Sequence, residues 1–307
     1  MDLSLLPGRL LFAIPKKGRL HEKCISLLQG ANIAFHRHNR LDIALVQNLP
    51  IALIFLPAAD IAKFVGEGNV DLGITGQDMV EEAEVSDKVV ELLELGFGKC
   101  KLQVQVPENG TISSVEELSG KRIVTSFKSL AEKYFRELDA KVLKPEEIAR
   151  GEKTRIRYVT GSVEASCALG LADGIVDLVE SGETMKAAGL HAISTILNTQ
   201  AVLIRNKNPS NYDLVTKITS RIRGVIAAEK YVLLNYNIER TKLKNATKIT
   251  PGRQAPTISS LEDPDWLAVQ AMVEKSTIAE IMDQIEAIGA KDILVFTISN
   301  CRVMVDV

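Results

Sequence analysis

The sequence is poor in aromatic residues and has no long apolar run. Aromatic residues make up 5% of the 307 positions and hydrophobic residues 46%, so we expect two or three α/β domains with aliphatic cores. No apolar run is long enough to span a bilayer, and the start, with Asp2, Pro7 and Arg9, lacks the pattern of a signal peptide. These absences predict a cytoplasmic protein without a membrane partner.

The sequence also lacks an excess of either charge. Its 37 Lys and Arg and 39 Asp and Glu give a formal net charge of −2, which provides no general attraction for nucleic acid. We therefore expect no nucleic-acid partner. An anionic substrate must be bound at a local site, since the net charge of the chain does not attract it. The cysteines lie far apart without metal-ligand spacing, which predicts free buried thiols. They are Cys24, Cys100, Cys167 and Cys301.

Strand-like and helical runs alternate in the first third of the chain, which predicts βαβ units and a mostly parallel sheet. The pairs of runs are 9–14 with 20–30, 53–56 with 60–67, and 72–75 with 78–83. Segment 112–124 indicates a capped helix, a glycine stop and a new strand, and it resembles the second-lobe entry of bilobed solute-binding proteins. From about Gly224 the order βαββαβ predicts a ferredoxin-like module. Its few convergent polar residues favour a regulatory or assembling role.

Residues 70–79 and 176–185 are identical at five of ten positions, each with an Asp, a hydroxyl-Gly turn and a helix start. Two such units would place two strand-end loops across a cleft, where open α/β sheets bind ligands. A chance similarity between two β-turn-α units remains the alternative.

The segment from Asp173 to Thr184 is the strongest candidate site. Ser181 and Thr184 supply hydroxyls, Gly182 permits close approach, and the N–H groups of the following helix start attract phosphate. The carboxylates of Asp173 and Asp177 could bond two ribose hydroxyls, or hold Mg²⁺ through water. The structural alternative is a buried strand followed by a capped helix.

Two further loops contain residues that suit the binding of a phosphate-bearing ligand. Lys16 and Arg19 flank Gly18 in a basic strand-to-helix turn that could contact phosphates or an adenine face, although such turns are often only solvated surface. In segment 68–78, Gly73 and Gly76 leave room for a ligand, while Asp71 also suits a structural turn.

These segments together resemble the long form of the ATP phosphoribosyltransferase family. The resemblance rests on 14–20, 68–78, 161–164, 171–184 and 251–261, and so spans nearly the whole chain. It implies an α/β fold with a two-lobed catalytic region resembling periplasmic binding proteins, and a C-terminal ferredoxin-like βαββαβ domain. The implied boundaries are 1–104 with 190–222 for lobe I, 105–189 for lobe II and 223–307 for the regulatory domain.

The resemblance also implies a reaction. The phosphoribosyl group of phosphoribosyl pyrophosphate (PRPP) would pass to N1 of the adenine of ATP with release of pyrophosphate, the first step of histidine biosynthesis. Mg²⁺ is the expected cofactor, held by protein carboxylates or only by PRPP. Histidine is the expected allosteric inhibitor, and dimers and hexamers are the expected assemblies.

The resemblance assigns the site residue by residue. The catalytic set is Lys16, Arg19, Asp173 and Asp177. The substrate-binding set is Gly18, Asp71, Thr75, Gly76, Asp78, Ser162, Glu164, Ser181, Gly182, Glu183 and Thr184. No general base is assigned, because N1 attacks through a lone pair. Arg37 ranks below Lys16 and Arg19 as a phosphate contact, and helix or loop surface is expected for His21, His36, His38 and His191.

Two other functions fit parts of the pattern. A bilobed small-molecule binding protein with a regulatory domain would explain the lobes, but it has no use for the basic loop or the paired carboxylates. A phosphoribosyltransferase for another acceptor would differ only on the acceptor side of the cleft.

Overall fold

The computed structural model describes residues 6–37 and 41–302 of the chain. These residues form two compact units, the first within Met1–Ile25 and Phe35–Val215 and the second within Ser26–Ala34 and Thr216–Val307. The described strands are β1 (Leu10–Pro15), β2 (Ile43–Leu45), β3 (Ile51–Leu56), β4 (Leu72–Gly76), β5 (Val89–Glu94), β6 (Cys100–Pro107), β7 (Arg122–Thr125), β8 (Arg155–Tyr158), β9 (Gly174–Val179), β10 (Leu190–Thr199), β11 (Ala201–Asn206), β12 (Tyr231–Glu239), β13 (Thr257–Ser260), β14 (Trp266–Glu274) and β15 (Lys291–Thr297).

Helices lie between many of these strands, and the described residues also form 3-10 turns at Val115–Leu118 and Arg240–Lys242. The described α-helices are α1 (Arg19–Gly30), α2 (Ala58–Gly66), α3 (Gln77–Glu82), α4 (Lys128–Val142), α5 (Pro145–Ala149), α6 (Ala165–Ala168), α7 (Glu183–Ala187), α8 (Tyr212–Lys230), α9 (Leu243–Ile249) and α10 (Ile278–Ala287).

The first unit contains two sheets, which we call lobe I and lobe II. The sheet of lobe I has the order β2-β3-β1-β4-β11-β5, and that of lobe II the order β10-β6-β9-β7-β8. The chain enters lobe II between β5 and β6 and returns between β10 and β11. The predicted boundaries at 104/105 and 189/190 stay a prediction, while the strands of lobe II extend from Cys100 to Thr199.

The prediction of a mostly parallel sheet holds only for the centre of lobe I. Strand β1 is parallel to β3 and β4, but β2, β11 and β5 all pair antiparallel. The reason is topological, because β11 returns from lobe II and enters the sheet between β4 and β5. In lobe II, β7 is parallel to β8 and β9, and β6 is antiparallel to both of its neighbours.

Aliphatic side chains cover both sheets of the first unit, as the low aromatic content predicts. Helix α2 buries Ile61 and Val65 on lobe I, and a Cβ at Gly73 would lie 2.6 Å from Ile61 Cγ2, so glycine permits this close packing. Helix α4 of lobe II buries Phe135 in a core shared with β6 and β9. The capped helix predicted after residue 112 is a short 3-10 turn, Val115–Leu118, and its predicted cap is a capping box between Ser114 and Glu117.

Lobe I also contacts lobe II through one carboxylate. Both oxygens of Glu82, at the end of α3, accept hydrogen bonds of 3.0 Å from the backbone N–H groups of Ser129 and Leu130. These N–H groups belong to the first turn of α4, where the helix leaves them without intrahelical partners and where negative charge is favoured. A side chain of lobe I therefore caps a helix of lobe II.

The second unit confirms the predicted ferredoxin-like module. Its antiparallel sheet has the order β13-β14-β12-β15, which is the order that the βαββαβ connectivity of this fold gives. Alternate residues of β12 are buried under the helices, from Val232 to Ile238. The buried Tyr236 hydroxyl is 2.6 Å from Oγ1 of Thr250, so its polar end is satisfied.

Candidate active site

The loop after β9 forms the wall of a pocket in the first unit. Gly182 adopts φ +81°, a conformation that favours glycine, and α7 begins directly afterwards at Glu183. Glu183 and Thr184 therefore lie in the first turn of α7. Seven residues of this segment and Arg19 enclose a cavity of about 320 Å³; the segment contributes Leu178, Val179, Glu180, Ser181, Gly182, Thr184 and Met185.

Arg19 brings the basic loop of lobe I to this loop of lobe II. It is the first residue of α1; its Nη1 lies 3.4 Å from Oε2 of Glu180, and its Nη2 donates to Sγ of Cys100 at 2.9 Å. Arg19, Ser181 and Thr184 line the same cavity, so the structure joins residues more than 160 positions apart. Glu180 and Cys100 had no predicted role, because sequence spacing does not show that they face Arg19.

Burial outweighs this arginine in its effect on the pKa of the Cys100 thiol. Burial raises the pKa of Cys100, and the hydrogen bond from Arg19 only partly offsets that effect. All four cysteines are free, as predicted, although Cys167 and Cys301 are only half-buried. Cys100 therefore acts as a polar contact that orients the guanidinium.

Asp177 is a half-buried carboxylate of lobe II that the charge of Glu164 influences. Asp177 lies within β9, and its Oδ1 accepts the N–H of Leu178 at 2.8 Å. Burial raises the pKa of Asp177, and the negative charge of Glu164 raises it further. Glu164 precedes α6, in a turn that Ser162 enters with φ +50°. Asp177, Glu164 and Ser162 were all predicted as site residues.

Asp173 lies at the other end of β9. At about 3.3 Å per residue, four residues of strand place it about 13 Å from Asp177. Its carboxylate accepts hydrogen bonds from Nε, Nη2 and the backbone N–H of Arg122, at 3.1, 2.9 and 2.9 Å. Arg122 lowers the pKa of Asp173 through these bonds. The structure therefore separates the two aspartates, and Asp173 ties β9 to the start of β7.

Lys16 belongs to a second charged group, at the end of β1. Its Nζ forms an ion pair with Oδ2 of Asp42 at 2.8 Å, and Arg37 reaches the other oxygen of Asp42 at 3.5 Å. The Arg37 guanidinium also stacks on Phe55, 3.9 Å from the ring centroid. Gly18 has φ +88°, which turns the chain between Lys16 and α1. Two cations and an aromatic face thus meet at this edge of lobe I.

The predicted residues of the β4–α3 loop are mostly engaged with the protein. Oγ1 of Thr75 donates to the carbonyl of Ala58 at 3.0 Å. Asp78 is 3% exposed, and its Oδ1 accepts from Oγ1 of Thr199 at 2.7 Å, at the point where the chain returns to lobe I. A Cβ at Gly76 would collide with the Asp78 carboxylate. The bond between Asp78 and Thr199 therefore links α3 to the end of β10, at the junction of the two lobes.

Asp71 lies at the opposite end of β4 from this loop. Its carboxylate accepts the backbone N–H groups of Leu11 and Ser210, at 2.8 and 2.5 Å. The internal repeat matches at the helix starts, Gln77 and Glu183, but not at the strands, because Asp71 precedes β4 whereas Asp177 lies inside β9. The two aspartates of the repeat therefore have different surroundings.

The three histidines that the structure describes show no shared site. Nδ1 of His21 lies 2.6 Å from the carbonyl of Pro15, and His36 is exposed in the segment before Arg37. His191 lies in β10, and its buried Nδ1 has no hydrogen-bond partner within residues 6–37 and 41–302. His38 lies outside the described residues.

The described part of the chain contains no group of three His, Cys, Asp or Glu side chains arranged to hold a metal ion. The two carboxylates of Asp177 and Glu164 are oxygen ligands of the kind that suit Mg²⁺ when the ion keeps its waters and is held mainly by a substrate phosphate. None of the described helices has the length and apolar character needed to cross a bilayer.

Fold and site define a two-lobed α/β protein in which a hydroxyl- and glycine-bearing loop of one lobe meets an arginine of the other. A family model described as ATP phosphoribosyltransferase matches residues 57–224, and one described as the HisG C-terminal domain matches residues 228–300. The chain belongs to the ATP phosphoribosyltransferase family, in the long form that the sequence predicted.

Similar proteins extend over the full length of the chain. An ATP phosphoribosyltransferase of Yarrowia lipolytica is 62% identical over 304 residues, covering 99% of this chain and 100% of that protein. The ATP phosphoribosyltransferase of Saccharomyces cerevisiae is 56% identical over 305 residues, again covering 99% and 100%.

Solved structures support the predicted fold class. A chain of the ATP phosphoribosyl transferase (HisG:HisZ) complex from Thermotoga maritima has a TM-score of 0.58 at 24% identity, covering 70% of this chain and 96% of that chain. At this identity the likeness shows the fold alone. The prediction of a two-lobed α/β region followed by a ferredoxin-like domain is confirmed.

Proposed function

We propose that this chain transfers the phosphoribosyl group of PRPP to N1 of the adenine of ATP and releases pyrophosphate, in the first step of histidine biosynthesis. Family membership supports the reaction, and the meeting of Arg19 with the Ser181–Thr184 loop in one pocket is the observation that supports the site. The binding-protein alternative has no such support from the full-length relatives.

The Ser181–Thr184 loop binds the 5′-phosphate of PRPP. Two hydroxyls and the N–H groups around Gly182 supply donors, and the positive φ of Gly182 turns the backbone to form the concave surface. The side chain of Glu183 is exposed and does not line the pocket. Its charge therefore faces solvent while its N–H stays in the loop.

Asp177 and Glu164 bind the ribose hydroxyls. A carboxylate that accepts from two hydroxyls fixes the ring while the anomeric carbon changes geometry. Because positive charge develops on the ribose in an oxocarbenium-like transition state, these neighbouring negative charges stabilise the transition state more than the ground state. We assign this role to Asp177 first, and assign to Asp173 the structural contact with Arg122.

Cations of lobe I bind the departing pyrophosphate and the ATP. The bond from N1 to the anomeric carbon forms as the bond from that carbon to the pyrophosphate oxygen breaks, and the electron pair leaves with pyrophosphate. Arg19 donates to pyrophosphate oxygens, while Lys16 and Arg37 bind phosphates of ATP after release from Asp42. The proton lost from the adenine amino group goes to solvent, so no general base is needed.

Asp177 and Glu164 would hold Mg²⁺ through its water ligands, and the ion would supply positive charge to the diphosphate leaving group of PRPP. We also propose that histidine binds the second unit and inhibits the reaction, and that the chain assembles as dimers and hexamers. The location in the cytoplasm remains a prediction.

The first test is pyrophosphate release and adduct formation from ATP, PRPP and Mg²⁺, with and without histidine. Product that forms only with both substrates supports the reaction, and a fall in rate with histidine supports the feedback. Light scattering of the same samples shows whether histidine changes the dimer-to-hexamer ratio. A folded protein without turnover, with inorganic pyrophosphatase present, contradicts the proposal.

A further inference from the structure

The second unit contains a cavity whose charged lining residues are all cations. The cavity has a volume of about 520 Å³ and lies along the last turns of α8, with Arg223, Lys230, Arg253 and Arg302 around it and Tyr231 at one side. We call it the arginine pocket. Its volume is in the range of small-molecule sites, and none of its lining residues is acidic.

Three of these cations lack an acidic partner. Lys230 forms an ion pair with Glu274 at 3.3 Å. Within the described ranges, 6–37 and 41–302, no carboxylate makes an ion pair with Arg223, Arg253 or Arg302. Arg302 instead donates to neutral oxygens, the carbonyl of Ser220 at 3.3 Å and Oδ1 of Asn300 at 3.0 Å. The positive charge that these exposed side chains share favours an anion in the pocket.

The backbone fixes this arrangement. The N–H of Cys301 donates to the carbonyl of Gly224 at 3.2 Å, which holds the segment 300–302 against α8. A Cβ at position 224 would collide with the Cys301 carbonyl and the Arg302 guanidinium, so only glycine permits the contact. Arg302 thus lies beside Arg223 because of backbone packing, and the cluster is more than a chance meeting of long side chains.

We propose that the arginine pocket binds a small anion carrying a diphosphate group. The planar guanidinium forms two parallel hydrogen bonds to phosphate oxygens, and three uncompensated arginines match the charge of a diphosphate. Tyr231 adds a ring beside the cations, with Arg253 5.9 Å from its centroid. The site is separate from the proposed phosphoribosyl pocket, since all of its lining residues belong to the second unit.

The test is calorimetric titration of the full chain with inorganic pyrophosphate. Because the proposed active site also binds pyrophosphate, the titration uses an Arg19→Ala/Thr184→Ala background. One binding event per chain is expected there. Adding Arg223→Gln and Arg253→Gln is expected to weaken it at least tenfold, which corresponds to about 1.4 kcal/mol. Lys217→Gln, which removes a charge of α8 outside the pocket, is the matched control and leaves the affinity within about twofold.

A second variant separates charge from folding. Gly224→Ala keeps every cation but displaces the segment that holds Arg302, so it is expected to weaken pyrophosphate binding while circular dichroism stays that of the parent. The proposal is overturned if the background binds no pyrophosphate. It is equally overturned if the double arginine variant titrates like the Lys217→Gln control.

Discussion

The contrast between Asp173 and Asp177 gives the sharpest test of the proposed site. Both residues precede the same loop and both suit a ribose contact by sequence, yet the strand separates them by about 13 Å. Asp177→Asn removes a charged acceptor for ribose hydroxyls. A hydrogen bond to a charged group contributes about 1.5–3 kcal/mol, so kcat/KM for PRPP is expected to fall about 10- to 150-fold.

Asp173→Asn should affect stability and leave catalysis intact. The asparagine amide has only one acceptor oxygen, so it cannot accept both guanidinium N–H groups of Arg122, which now reach the two carboxylate oxygens at 2.9 and 3.1 Å. Because Arg122 lowers the pKa of Asp173, the stabilisation is present above the ordinary carboxyl pKa and is lost as the pH falls through the lowered value. The variant should therefore have a lower Tm at pH 7, and this difference should shrink in acid.

Two assays on both variants decide the matter. Initial rates over a PRPP series give kcat and KM, and thermal unfolding by circular dichroism gives Tm. We expect kcat/KM of Asp173→Asn within about twofold of wild type, and Tm of Asp177→Asn close to wild type. Equal losses of kcat/KM in both variants would refute the assignment of the ribose contact to Asp177 alone.

Four further changes have expected outcomes. Gly182→Ala places a Cβ at φ +81°, at a cost of about 1–2 kcal/mol, and should raise KM for PRPP in steady-state kinetics. Arg19→Lys keeps the positive charge but loses the planar guanidinium that can form two parallel hydrogen bonds, so kcat/KM should fall about tenfold in the pyrophosphate-release assay. Glu164→Gln removes the negative charge that raises the pKa of Asp177, so the acidic limb of the pH profile of kcat/KM should move to lower pH. Asp139→Ala removes a buried acceptor of three hydrogen bonds in lobe II and should lower the free energy of unfolding in urea by about 2–4 kcal/mol.

Matched controls separate site effects from general damage. Gly151→Ala carries the same backbone strain at φ +85° outside the loop, so it should lose stability but keep KM. Lys17→Ala removes a neighbouring charge of Arg19 and should leave kcat/KM within about twofold. An unchanged acidic limb in Glu164→Gln, or an unfolding curve of Asp139→Ala that overlays wild type, would contradict those two expectations.

Many helices and strands of the fold could be predicted from local sequence patterns. The runs at 9–14, 53–56 and 72–75 each lie within or overlap a strand of lobe I, and the βαββαβ order matches the second unit. Local propensity and periodicity determine these elements, so the sequence carries them directly. The antiparallel return of β11 was missed, because pairing between strands more than 100 residues apart leaves no local pattern.

The candidate site could be predicted from the sequence only in part, because contacts between distant residues leave no local sequence pattern. The glycine and hydroxyls of the loop at 181–184 are local and were found. The partners that separate a structural from a substrate contact are distant: Arg122 for Asp173, Thr199 for Asp78 and Glu180 for Arg19. Residue types in a motif show which chemistry is available, but tertiary contacts decide which side chains are already engaged.

The cap that Glu82 places on α4 limits how the two lobes can move. Any rotation that separates α3 from the start of α4 must break both hydrogen bonds of Glu82. Such a rotation therefore costs the free energy of these bonds in addition to bending the two segments that connect the lobes, between β5 and β6 and between β10 and β11. The same carboxylate would reform its bonds on closure and return the lobes to one register. Glu82 lines neither proposed pocket, so a residue outside both sites helps to set the register of one lobe on the other.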